Sequence, residues 1–161
     1  MQHDKYHELR DQITEQSTIQ LDTTVQTDIH DAITEEPEMS LPELQFPKRA
    51  QSMDFQSLQE RYPEVSGWIL AEGAGGDYPI MHTKDNEFYL SHLYDGSYNS
   101  NRSIFIDYRN SGIFTDDNTV IYGHNMKNGE MFQGLNEYKY QEFYKIHPTI
   151  TIYTPNGDCC V

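Results

Sequence analysis

His124 is the residue of this sequence best placed to do chemistry. It follows Thr119-Val120-Ile121-Tyr122, a β-branched and aromatic run typical of a strand, and it comes directly after a break at Gly123. A strand end fixes the backbone, and the following loop leaves the imidazole reachable for proton transfer near neutral pH. The position therefore fits a general acid–base residue. A loop histidine or a half-buried, hydrogen-bonded one would show the same local sequence, so the stretch alone leaves these alternatives open.

The other residue types that bind metals or act as nucleophiles give weaker patterns. Cys159 and Cys160 are adjacent, which strains a bridge between them, and they give no disulfide framework and no metal-binding spacing. Among the histidines, only His3 and His7 have a ligand-like spacing, and no third ligand lies beside them. The sequence predicts no metal site and no cofactor.

Short strands and helices must position His124. The pattern predicts strands at residues 67–70, 77–81, 103–107, 119–122 and 149–153, and helices at residues 55–62, 85–90 and 138–146. Asp54 is the expected N-cap of the first helix, with Thr83 or Asp85 capping the second. Pro79 places its strand at a sheet edge or at a strand start.

The end of the chain predicts a hairpin. Alternation in residues 149–153 indicates a half-buried strand, and Asn156-Gly157 suits a type I′ turn, so a return strand is expected from Cys159. The helix at 138–146 is expected to place Phe143 and Ile146 together. Five short strands do not close a barrel, which predicts a mainly β domain with short helices and an open sheet.

Residues 1–53 differ from residues 54–161 in composition. They hold 11 acidic and 4 basic residues and no glycine, whereas residues 54–161 hold all ten glycines and the only tryptophan. We expect a largely disordered acidic linker over 1–53, with a short helix at 6–13, followed by the folded domain. The net charge of -15 argues against nucleic-acid binding. No signal peptide and no apolar run of about 20 residues is present, so the chain as written is expected to be cytoplasmic or a fragment.

The order of motifs in residues 54–158 resembles the N-terminal half of class B sortases, the cysteine transpeptidases that attach proteins to the cell wall of Gram-positive bacteria. The matching motifs are Val65-Ser66-Gly67-Trp68-Ile69, Asp77-Tyr78-Pro79-Ile80, Lys84-Asp85-Asn86-Glu87-Phe88-Tyr89-Leu90, Ser103-Ile104-Phe105-Ile106-Asp107-Tyr108-Arg109-Asn110, Asn118-Thr119-Val120-Ile121-Tyr122-Gly123-His124-Asn125-Met126 and Phe143-Tyr144-Lys145-Ile146-His147-Pro148. So many motifs in one order make a chance match improbable.

The resemblance implies a sortase-type β-barrel, of which this chain would supply about five of eight strands. It implies that His124 is the catalytic histidine and that Asn86, Leu90 and Tyr122 fall in the groove for a sorting signal resembling Asn-Pro-x-Thr-x. Helix capping and packing are the alternative roles of those three residues. The implied partners are that signal and a peptidoglycan amine, with no nucleic acid, metal or oligomer. The family itself is membrane-anchored and faces outward.

The sequence departs from the family at the nucleophile. The family needs a cysteine many tens of residues past the histidine and an arginine on the following strand, but Cys159 lies only 35 positions past His124 and no arginine follows Arg109. We therefore expect a partial sortase domain that lacks transpeptidase activity, in which replacing His124 by alanine changes no turnover. A functional enzyme, an inactive remnant and a sorting-signal binding module remain the competing hypotheses.

Overall fold

Six strands form one open sheet in a computed structural model that describes residues 2–16, 53–157 and 159–160. The strands are β1 (Val65–Ala71), β2 (Gly76–Met81), β3 (Ile104–Ile106), β4 (Ile121–Tyr122), β5 (Thr151–Tyr153) and β6 (Cys159–Cys160). Their order across the sheet is β4-β3-β2-β1-β5-β6, and every neighbouring pair is antiparallel except β2–β3. The predicted mainly β fold with an open sheet is confirmed.

The prediction that Pro79 marks a sheet edge or a strand start is wrong, because Pro79 is the fourth of the six residues of β2. Its strand, β2, lies inside the sheet between β1 and β3, with Pro79 opposite Trp68. The pairing of β2 with β3 begins only at Ile80, opposite Ile104. Proline is tolerated there because no strand is paired with it on the β3 side.

Helices α1 (Gln2–Gln16) and α2 (Phe55–Arg61) help to enclose the core. Asp54 caps α2 as predicted, since its carboxylate accepts the backbone N–H of Ser57 at 3.1 Å. The helix expected at residues 6–13 lies within α1, but it packs on the domain instead of standing apart. Tyr6 and Leu9 are buried, and Arg10 pairs with Asp77 of β2. The linker predicted for the rest of the acidic segment falls on residues 17–52, outside the described residues.

The C-terminal hairpin forms, but its turn differs from the predicted one. The backbone N–H of Gly157 donates to the carbonyl of Thr154 at 3.2 Å, which puts Pro155 and Asn156 at the centre of the turn. Asn156 does not adopt a positive φ, so the turn is not type I′. β5 is buried throughout because its neighbouring residues Ile152 and Tyr153, which point to opposite faces of the sheet, pack into two different core clusters, and this corrects the half-buried prediction.

The predicted helix at 138–146 divides into two elements. A 3₁₀ helix runs over Phe132–Lys139, and α3 (Gln141–Ile146) follows it. Phe143 is half-buried, whereas Ile146 is 72% exposed, so the expected shared apolar face is not buried here. None of the helices within residues 2–16, 53–157 and 159–160 combines the length and apolarity that crossing a membrane requires.

Candidate active site

The loop after β4 holds His124 at a defined place. The backbone N–H of Phe132 donates to the His124 carbonyl at 2.9 Å, and Asn125 pairs with Met131 across the same loop. A Cβ on Gly123 would lie 2.3 Å from the Phe132 ring, so only glycine permits this close approach. The loop therefore folds back on itself directly beside the histidine.

The four residues predicted for the site lie together. They line one cavity of about 350 Å³ whose wall residues are Asn86, Tyr89, Leu90, Arg102, Ser103, Phe105, Tyr122, Gly123 and His124. Asn86 and Leu90 come from the connection between β2 and β3, and Leu90 belongs to a short 3₁₀ helix, Phe88–Leu90. This helix lies within the predicted segment 85–90, and the Asp85 carboxylate accepts the N–H groups of Glu87 and Phe88. The structure brings the four residues into contact with one space, and their roles stay predictions.

Asp107, at the end of β3, organises one wall of the cavity. Its carboxylate is buried and accepts hydrogen bonds from Tyr122 Oη at 2.8 Å, Asn86 Nδ2 at 3.1 Å and Arg109 Nε at 2.8 Å. These donors, led by Arg109, hold the pKa of Asp107 well below its ordinary value, while the bond to the carboxylate raises the pKa of Tyr122. Asn86 and Tyr122 are thereby fixed by a carboxylate that lies behind the cavity wall and is not part of its lining.

Arg102 is the cavity residue that sequence reasoning missed. Its Nη1 lies 3.0 Å from His124 Nδ1, and its backbone has a φ of 63°, which is uncommon outside glycine. The Arg102 carbonyl accepts the Tyr6 hydroxyl at 3.4 Å, so α1 contacts this corner of the site. No local pattern distinguishes Arg102 from other surface arginines, because its side-chain contact with His124 spans 22 positions of sequence. For Asp107, the Asp-x-Arg spacing at the end of a predicted strand was an available signal.

The hydrogen bond from Arg102 fixes the tautomer of His124. A guanidinium has N–H donors and no acceptor, so Nδ1 of His124 must be the acceptor. The neutral ring then carries its proton on Nε2, which leaves Nε2–H as the ring donor available to a ligand. This assignment follows from the identity of the partner.

We expect the variant Arg102→Met to expose His124 to acylation. Diethyl pyrocarbonate attacks an unprotonated ring nitrogen, and in the native protein that nitrogen is Nδ1, covered by Arg102. Removing a hydrogen bond of roughly 1 kcal/mol should raise the modification rate at His124 about fivefold. Peptide mapping by mass spectrometry measures the rate, with His92 in the same sample as the reference. An unchanged ratio of the His124 rate to the His92 rate would contradict the contact.

The adjacent cysteines lie far from His124 in the sheet order. Cys159 and Cys160 form β6, opposite Ile152 and Thr151, whereas His124 follows β4. β4 and β6 are the two outer strands of the described sheet. That neither cysteine serves His124 as a nucleophile stays a prediction. Within the described residues, no group of three or more histidine, cysteine or acidic side chains is arranged to hold a metal ion.

A second cavity adjoins the first and shares Tyr89 with it. This space of about 370 Å³ lies between the end of α2 and the short 3₁₀ helix, where Arg61 and Tyr94 contribute to its lining. The Tyr89 hydroxyl donates to Glu64 at 2.5 Å, and burial together with this carboxylate raises the pKa of Tyr89 far above its ordinary value. Tyr89 is therefore a fixed partition between the two cavities.

Comparison with known proteins gives one consistent family. A Sortase B of Listeria monocytogenes is 43% identical over 98 residues, which cover 61% of this chain and 40% of that protein. A Sortase B of Staphylococcus aureus is 34% identical over 96 residues, covering 60% of this chain and 39% of that protein. No protein-family model matches the chain.

Solved structures agree in fold. Sortase B from Listeria monocytogenes aligns with a TM-score of 0.60 and 40% identity, covering 67% of this chain and 62% of that one. A Staphylococcus aureus sortase B–substrate complex aligns with a TM-score of 0.63 and 32% identity, covering 66% of this chain and 50% of that one. Over about two thirds of its length, the chain is thus similar to class B sortases in both sequence and fold. It spans about two fifths of the length of the curated relatives it matches.

Proposed function

We propose that the cavity beside β4 is a groove for a sorting-signal peptide and that His124 is the acid–base residue of a class B sortase. The observation that carries this proposal is that Asn86, Leu90, Tyr122 and His124 line one cavity. These residues come from two separate parts of the chain, so their meeting is a property of the fold. Similarity to a sortase B solved as a substrate complex supports the same assignment.

The chemistry of the cavity suits an extended peptide. Leu90 is 45% exposed, and the Tyr122 and Phe105 rings lie 5.2 Å apart, which together give an apolar wall for a proline-sized ring. Asn86 donates one amide hydrogen to Asp107 and accepts the N–H of Tyr108 at 2.9 Å, so one donor remains for a ligand. An Asn-Pro-x-Thr segment offers matching apolar and polar groups.

The proposed reaction belongs to the whole protein. A cysteine thiolate would attack the threonyl carbonyl to form a thioester, His124 would protonate the departing amine, and a peptidoglycan amine would then take the acyl group. The protein would do this at the outer face of the membrane. The 161 residues supply the histidine and a groove wall, and we propose that by themselves they bind the signal without turning it over.

We expect the 161-residue chain to bind a labelled Asn-Pro-Gln-Thr peptide amide, measured by fluorescence anisotropy. Replacing Tyr122 by alanine should weaken this affinity about tenfold, because it removes both the ring contact and the hydroxyl that Asp107 positions. The matched control is Tyr140→Ala, a tyrosine that is 54% exposed and outside the cavity lining. No binding by the native chain, or equal losses in the two variants, would refute the groove.

A further inference from the structure

The guanidinium of Arg102 is a cation without a carboxylate partner in the described part of the chain. Arg10 pairs with Asp77, and Arg109 pairs with Asp107. The side chain of Arg102, in contrast, has His124 as its hydrogen-bond partner, and that ring is a neutral acceptor. The neighbouring Glu130 carboxylate accepts from Asn101 Nδ2 at 3.2 Å and forms no ion pair with Arg102. The charge of Arg102 is therefore left uncompensated.

This cation lies at the wall of a cavity and is held there by its backbone. Two hydrogen bonds fix the left-handed backbone of Arg102. Its N–H donates to the Asn99 carbonyl at 3.3 Å, and its carbonyl accepts the Tyr6 hydroxyl. The guanidinium has five N–H donors, of which one is used by His124. His124 adds its Nε2–H to the same wall. This end of the cavity thus presents several donors and one net positive charge.

We propose that Arg102 and His124 form a binding site for a carboxylate, and that its occupant is the free α-carboxylate of a peptide ending in threonine. A planar carboxylate matches the fork of a guanidinium and would supply the missing negative charge. The identity of the peptide rests on the proposed function. A sorting signal that has been cleaved by water after its threonine would carry this group, so the chain would hold the cleaved acid more tightly than an uncleaved or amidated signal.

The overall charge of -15 does not prevent this binding. Charges farther away than about 8–10 Å are largely screened at ordinary ionic strength. The cavity wall itself holds Arg102 as its ionic side chain, while its other polar members, such as Asn86 and Ser103, are uncharged. The Asp107 carboxylate lies directly behind this wall but is paired with Arg109, so Arg102 is the unpaired charge that a carboxylate ligand would meet at the cavity.

The test compares Asn-Pro-Gln-Thr peptides with a free acid or an amide at the C-terminus, both titrated into the complete chain. We expect the acid to bind about tenfold more tightly, as for a charge-assisted bond in place of a neutral one. In Arg102→Met the ratio of the two affinities should fall to about one. The matched control Arg61→Met, which removes an arginine from the second cavity, should keep the tenfold ratio. Equal affinities in the native chain, or a preference that survives Arg102→Met, would overturn the proposal.

Two additions separate this proposal from the groove and from misfolding. Arg102→Gly removes the same side chain and relieves the left-handed backbone, so it should fold even where the methionine variant does not. N-acetylthreonine and N-acetylthreonine amide test the carboxylate site without the peptide. Suppose that neither peptide binds, but N-acetylthreonine shifts the NMR signals of Arg102 Nε–H and the His124 ring while its amide does not. The groove then fails and the carboxylate site stands. If N-acetylthreonine and N-acetylthreonine amide give the same shifts, or none, the carboxylate site fails.

Discussion

Replacing Asp107 by alanine should lower the thermal midpoint by roughly 10 °C and remove detectable peptide binding. The change leaves three groups without their shared acceptor: the Tyr122 hydroxyl, the Asn86 amide and the Arg109 guanidinium. The carboxylate itself is buried and is the shared acceptor that holds these groups in place, and two of them line the proposed groove. Circular dichroism measures the midpoint, and fluorescence anisotropy measures peptide affinity. Asp116→Ala is the matched control, because that carboxylate bonds Ser111 in a separate turn.

The low pKa of Asp107 predicts that the stability of the folded protein depends on pH. The pKa of Asp107 lies well below its ordinary value in the folded protein, because Arg109 and the other donors stabilise its charge. A depressed folded pKa gives a stabilisation that is fully present above the unfolded pKa of about 3.9 and is lost as pH falls below it. The stability difference between the native protein and Asp107→Asn should therefore be constant above about pH 5 and shrink as the pH falls from about 5 to 2. A difference independent of pH over this range would contradict the ionic role.

Replacing Trp68 by alanine should destabilise the domain by about 3–5 kcal/mol, the range for deleting a large buried aromatic side chain. Trp68 is 1% exposed in the core cluster, where α2 contributes Leu58 and the sheet contributes Phe105. Its Nε1–H also donates to Asp77 at 2.8 Å. Urea unfolding followed by far-UV circular dichroism measures the loss, because the variant has no tryptophan to report by fluorescence.

Two further variants make the Trp68 result interpretable. Trp68→Phe keeps an aromatic ring but loses the Asp77 bond, so its loss should be smaller than that of the alanine variant. Tyr98→Ala removes an aromatic side chain that is 80% exposed and should stay within about 0.5 kcal/mol of the native protein. These differences require a cooperative native transition. A native chain that unfolds without one would instead support the hypothesis of a poorly folded remnant.

The sequence predicted those parts of the fold that short patterns specify. β1 and β2 have apolar runs flanked by turn residues, and α2 begins after an aspartate that caps it, so these elements lie where expected. The type of turn at Pro155-Asn156 and the interior place of Pro79 depend on which strands pair. Pairing is a long-range property that a local pattern does not contain.

The residues of the candidate site likewise include some that the sequence predicted and one that it could not. His124 follows a recognisable strand and break, and the family resemblance placed Asn86, Leu90 and Tyr122 near it. Arg102 could not be predicted, because its importance comes from a contact across 22 positions and from a left-handed backbone in an ordinary polar loop. The docking of α1 was missed for a similar reason. Tyr6 and Leu9 are sparse apolar residues in an acidic segment, and they become buried only by packing against the sheet.

The parallel pairing of β2 with β3, the one such pair in the described sheet, has a consequence for the order of folding. Parallel neighbours cannot be joined by a tight turn, and here the chain between Met81 and Ile104 makes the crossover. That crossover carries Asn86, Leu90 and Arg102, so most of the cavity wall is built from the connection itself. The β1–β2 hairpin needs only local contacts and can form early, whereas the wall takes shape only when the distant β3 has docked. The cavity wall is thus expected to form late, together with the part of the core that β3 supplies through Ile104 and Ile106.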